Sequence, residues 1–192
     1  MSSYDLAKEI LNRSFPNERI FPQDVNLWQG DFPLPETVKE YYRDFGAFNI
    51  NIDSYGNSFF LPSLERLWKC QNGYRFHGLT NERIEDWKDE WLVIADQGAD
   101  PLIYSINTEN ILFDYHGQGK WEPGELFSDL PTMVNSLLIL GEIVVNTGED
   151  FTDKNGYIKQ SFIVSAKENL RHILKLEAEV ETVLDTFGWS GK

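Results

Sequence analysis

Cysteine is nearly absent: Cys70 is the single one in 192 residues. One thiol closes no internal disulfide and builds no cysteine-based zinc site, which predicts a reducing, cytoplasmic compartment. Histidine is scarce. His77, His116 and His172 lie far apart, without HxxxH or HxH spacing, so no convergent metal-ligand set is visible. Bases are few, 17 against 31 acids, for a net charge of −14. A chain this acidic is ill-suited to direct nucleic-acid binding or to an anionic membrane surface, and suits a basic protein partner. The N-terminus shows no basic region followed by an apolar run, as a secretory signal would. The longest apolar stretch, Ser136 to Val145, is interrupted by Gly141 and Glu142 and reads as too short for a bilayer. Phosphate loop, GxGxxG and GxSxG patterns are all missing. Around Gly156 a calcium loop would need ligands at Phe151 and Phe162, which have none to give. The expectation is no enzyme, no catalytic residue, no cofactor and no metal.

Apolar residues make up 41% and aromatics 14%, enough for a dense core. The expected class is α+β, a mostly antiparallel sheet flanked by helices. A main domain is expected over 1–145 and a C-terminal extension, hairpin plus helix, over 146–192 and packed on it. Ser3 is a candidate cap for a helix over 3–14, with Leu6, Ala7, Ile10 and Leu11 on one side. Pro35 opens a second helix, carrying Val38, Tyr41, Tyr42 and Phe45, which Gly46 can stop. Short strands are expected at Phe59–Leu61 and Tyr74–Phe76, with a short helix after Pro62. Trp91–Ala95, Leu102–Ile106 and Ile111–Tyr115 read as successive strands whose short connections favour antiparallel pairing. Residues 125–140 read as one helix, kinked or divided at Pro131. Asn155-Gly156 predicts a hairpin between Phe151–Asp153 and Tyr157–Val164. Ser165 to Glu168 reads as a capping box opening a final helix that carries Leu170, Ile173, Leu174, Val180, Val183, Leu184 and Phe187 on one face.

The charge is unevenly placed. Between Glu82 and Asp129 twelve acids face three bases, a local net of −9. Trp87, Trp91, Tyr104, Tyr115 and Trp121 are interleaved with them. Dense negative charge speeds capture of a basic protein and aromatics anchor it, although solvated acidic faces with core aromatics look the same in sequence. Trp91 heads an apolar strand and is assigned to the core. Asp114 and His116, if on one strand, share a face as an ordinary acid–histidine pair.

The block from Trp91 to Tyr104, a strand, a turn ending in Asp100-Pro101 and a second strand, resembles the SUKH superfamily. The Leu34-Pro35 helix that ends near Gly46 and the elements at 110–115 and 126–140 fall in the same order. The likeness spans about residues 30–140. Ala99 replaces a frequent glycine, and Phe48-Asn49 replaces Asn-Gly-Gly. The resemblance implies an α+β domain without enzyme activity, akin to fungal cell-wall-synthesis regulators and to bacterial immunity proteins of polymorphic toxin systems. It therefore implies a toxin-neutralising binding module, with a cognate toxin domain, nucleases included, as partner; the alternative is a regulatory scaffold. Candidate partner-binding residues are Asp96, Asp100, Glu109, Asp114, Trp121 and Glu122.

Overall fold

The computed structural model describes residues 3–190. The chain is α+β, and among the described residues it holds a six-stranded antiparallel sheet and six α-helices. Strands β1 (Ile50–Ile52), β2 (Phe59–Leu61), β3 (Trp91–Gln97), β4 (Asp100–Ser105), β5 (Ile111–Phe113) and β6 (Gly124–Phe127) lie side by side in sequence order. Every connection is therefore local, as a meander requires.

Contacts divide the chain into two compact units that interleave along the sequence. The first comprises residues 1–16, 52–58 and 131–192; the second comprises 17–51 and 59–130. The boundary expected at 145/146 falls inside helix α4 (Leu130–Thr147), within the first unit.

In the second unit, β3 and β4 are buried on both faces, which explains why they read as unbroken apolar runs. Val93 pairs with Ile103, and Ala95 with Leu102, so the register shifts between them. Such a bulge exchanges the faces of all later residues and brings Asp96, not Ala95, to the face of Val93. Helix α2 (Glu36–Glu40) runs on through a π-helical turn, Tyr41–Phe45, to Gly46 at φ 72°. Gly46 ends it as expected, and its N–H reaches Tyr41 O at 2.9 Å. A Cβ at this position would stand 2.0 Å from the Phe21 carbonyl oxygen. Helix α3 (Leu64–Leu67) matches the short helix expected after Pro62. Tyr74–Phe76 is a turn with single bridges to Asn72 and Arg83 rather than a strand. Residues 124–127 are strand β6, not helix, and α4 starts only at Leu130. Pro131 therefore sits in a first turn, where its missing N–H costs nothing, and neither kinks nor divides the helix.

The first unit packs α1 (Asp5–Ser14), α4, α5 (Gln160–Leu170) and α6 (Glu177–Thr186). Tyr4, not Ser3, is the N-cap of α1, and its side chain makes no capping bond. The expected C-terminal hairpin shrinks to one bridge, Thr152↔Ile158, and α5 takes the residues assigned to its second strand. Ser165 lies inside α5, so it caps nothing. The expected final helix is two helices. Glu179 opens the second by accepting the N–H groups of Lys175 and Leu176 at 2.8 and 3.0 Å. The window from Leu130 to Phe151 is long and apolar enough to cross a membrane, with 56% buried in the protein as in a core helix.

Gly141 in α4 sits where nothing larger fits. A Cβ would meet Ile52 Cγ2 at 2.3 Å and Asp53 O at 2.8 Å. Gly141→Ala is expected to cost about 1–3 kcal/mol in urea unfolding, the usual penalty of overpacking. At the next residue, Arg13 grips Glu142 through Nε at 2.5 Å and Nη2 at 2.7 Å, and Ser14 Oγ donates to the same carboxylate at 2.6 Å. The bonds from Arg13 hold the Glu142 carboxyl below its ordinary value. Its stabilising contribution is then full above the unfolded pKa and is lost as pH falls through the folded one. Glu142→Gln is expected to destabilise by about 1 kcal/mol at neutral pH, Arg13 being half exposed. In thermal melts the gap from the native chain closes as the carboxyl protonates.

Candidate functional site

The site begins at the uncovered edge of β3. Strand β2 pairs with it only at Gln97 and Asp96, and the chain then turns away into α3. Further along, side chains take the place of a strand. Buried Gln71 donates Nε2 to Val93 O and accepts Val93 N–H at Oε1, both at 2.9 Å. Arg75 donates Nη2 to Trp91 O at 2.8 Å and to Asp89 O at 2.7 Å. Trp87 Nε1 adds a second donor to the same Trp91 carbonyl at 3.1 Å. Backbone groups so far inside must be paired, and these side chains pair them. The Arg75 guanidinium lies over the rings of Phe32 and Trp68, 5.2 and 5.7 Å from their centroids. Burial, reinforced by Arg83, lowers its pKa, yet an arginine stays charged.

The loop pinned in this way lays its aromatics on the sheet. Tyr74 and Trp87 cover Trp91, Val93 and Ile103, and Ile84, Leu112 and Trp121 pack at the margin. Trp91 is 4% exposed, a core residue as its position predicts. Trp121 meets Trp87 edge-on at 5.4 Å and Tyr74 at 5.7 Å. Its backbone N–H donates to Asp86 Oδ2 at 2.6 Å, which ties the 114–122 loop to the 77–86 loop. Burial, then the charges of Asp96 and Asp100, push the Tyr74 phenol well up.

Five of the six candidate residues gather at one end of the sheet. Asp96 is half-buried; desolvation raises its carboxyl, and the Ala99 N–H opposes this by bonding it. It braces a turn in which Gly98 and Ala99 both take positive φ, 62° and 84°. Asp100 accepts both the N–H and Nδ1 of His116 on Oδ1, at 2.8 and 2.6 Å. Asp114 Oδ2 accepts the Glu122 N–H at 2.7 Å, and Oδ1 accepts that of Tyr115. Glu122 is exposed and pairs with Lys120 at 2.6 Å. His116 thus partners Asp100 rather than Asp114, because β5 stops at Phe113 and strand alternation ends there. Glu109 lies elsewhere. It sits in the β4–β5 turn at φ 61°, accepting Thr37 Oγ1 at 2.7 Å. The length of β4, about 17 Å at about 3.3 Å per residue, separates it from Asp100.

A cavity of about 500 Å³ opens beside Trp121, lined also by Ile84, Glu85, Asp86, Tyr115 and Lys120. That is the size of a ligand-binding cleft. Among the described residues no group of three or more His, Cys, Asp or Glu is placed to hold a metal. Burial pushes the half-buried Cys70 thiol up from its ordinary value. The geometry is suited to recognition. Compared with models of protein families, with curated proteins and with solved structures, the chain matches none.

Sequence reasoning missed Gln71, Arg75 and Asp86, which hold the site together. A basic residue inside Tyr74-Arg75-Phe76 was the available signal, since a cation between aromatics needs buried acceptors. Gln71→Met keeps the volume but leaves Val93 N–H and C=O unpaired. It is expected to cost about 2–4 kcal/mol in denaturant unfolding, from two buried groups at about 1–3 kcal/mol each. Hydrogen exchange at Val93 should accelerate with it.

Proposed function

We propose that this chain is a non-catalytic protein-binding module of the SUKH type, an immunity protein that neutralises a cognate toxin by occupying a basic surface. One observation carries the proposal: Glu85 and Asp86 line an open cavity together with Trp121 and Tyr115, in a loop that Asp100 and Asp114 brace by accepting the backbone N–H groups of His116, Tyr115 and Glu122. Negative charge there steers a cationic partner, and the aromatics give it something to grip. A nuclease is a fitting partner class, because its substrate cleft is basic and an acidic protein occupies it as nucleic acid would. The β3–β4 hairpin and the Pro35 helix ending at Gly46 supply the elements on which the family likeness rests. The setting is a reducing compartment without membrane or direct nucleic-acid contact, in keeping with one thiol and a charge of −14.

The test is co-expression with any toxin domain encoded beside it, scoring survival and complex formation. Association should slow steeply between low and physiological salt, where screening reaches about 8 Å. Reversing Glu85 and Glu122 to lysine should slow capture by about tenfold at low salt, whereas Trp121→Ala should chiefly hasten dissociation. Death of the host despite expression, or capture indifferent to all three changes, would sink the assignment.

A further inference from the structure

We propose that the cavity beside Trp121 is a socket for an arginine side chain of the partner, an inference that rests on the basic-partner function proposed above. Its walls combine the two things a guanidinium seeks. Trp121 and Ile84 are partly buried and hydrophobic, and Tyr115 is 45% exposed although large and aromatic. Exposed aromatic surface in a concavity is unusual where no partner covers it. Tyr74 and Trp87 pack against the Trp121 ring, so the indole is held in place before anything binds. A rigid ring costs little entropy to engage.

The charge at the mouth has the matching sign. Glu85 and Asp86 line the cavity, with Lys120 and His77 as its other titratable groups. Lys120 pairs at 2.6 Å with Glu122, a residue outside the lining. Asp86 spends Oδ2 on the Trp121 N–H, which fixes the carboxylate and leaves Oδ1 to accept from a ligand. Among the described residues Glu85 has no hydrogen bond or ion pair. The rim at Gly117 and Gly119 has positive φ at 79° and 84°, and a Cβ at either would meet nothing within 4 Å. The glycines thus shape the loop while keeping the entrance open.

These features favour arginine over lysine. A guanidinium is planar, stacks on an indole, and still directs in-plane N–H groups to carboxylates at its edge. An ammonium is a point charge that gives up more hydration to enter. The volume, about 500 Å³, leaves room for the backbone that carries the side chain.

The full chain is titrated with three lysine-flanked hexapeptides, identical except for one central arginine, lysine or citrulline, and followed by amide and indole NMR. Saturable shifts at the Trp121 indole, Ile84, Gly117 and Gly119 with the arginine peptide are expected. They should weaken at least about fivefold with lysine or the neutral citrulline. Glu85→Gln, an exposed change that breaks no bond, should weaken the arginine peptide by about fivefold and leave the citrulline peptide unaffected. Equal binding of all three, or shifts spread over Asp100, Asp114 and Glu122 without the indole, would overturn the socket and leave the basic-partner function standing. Absence of binding by any of the three would overturn both.

Discussion

Everything around the candidate site hangs on a strand edge completed by side chains. β3 is longer than the β2 that should cover it, and its surplus N–H and C=O groups lie too deep for water. Gln71 meets them with an amide, which carries one donor and one acceptor face just as a peptide does. Arg75 and Trp87 extend the substitute strand by one carbonyl. An exposed edge of this length invites pairing with another chain, so the same bonds protect the monomer. They also fix the 72–90 loop in space. Tyr74, Trp87 and, through Asp86, Trp121 owe their positions to it.

The acids of this region divide by what they do for the fold. Asp96 braces the β3–β4 turn, Asp100 holds His116, and Asp114 holds the start of the β6 approach. Each spends part of its lone-pair capacity on backbone N–H groups, which keeps the loops rigid around the cavity. Glu85 and Glu122 project outward and supply charge with little structural duty. Negative charge is therefore held on a hydrogen-bonded scaffold, the arrangement in which electrostatics costs least. Glu109 shows the limit of counting charges along a chain. Its number falls among the cluster, but a hairpin carries it to the opposite end of the sheet.

Locally determined elements were legible in the sequence. The β3–β4 hairpin, the β5 strand, the α2 stop at Gly46 and the buried Trp91 all follow from short-range rules. The misreadings share one cause, a period that fits two structures. Glu125-Leu126-Phe127 followed by Leu130 satisfies helical spacing, yet pairing with β5 claims the first part as strand β6. Pro131 then marks a beginning where it was expected to mark a break. Residues 157–164 alternate well enough for a strand but find only one bridge partner. The division between α5 and α6 has no glycine or proline to announce it; it depends on Glu179 reaching back to two N–H groups. In the site, Trp121 and the carboxylates were visible as composition, whereas Gln71 and Arg75 were not, because their importance comes from a strand that ends early.

The first unit is discontinuous, and this sets an order of assembly. Its N-terminal helix leaves the ribosome long before the helix it clasps, since 129 positions separate Arg13 from Glu142. Throughout that interval the side of α1 that carries Ala7, Ile10 and Leu11 lacks the part of its unit that starts at residue 131. The meander emerging behind it closes strand by strand with sequence neighbours, so it is complete while α1 still waits. Until α4 is made, an amphipathic helix thus keeps its apolar side without the partner that clasps it.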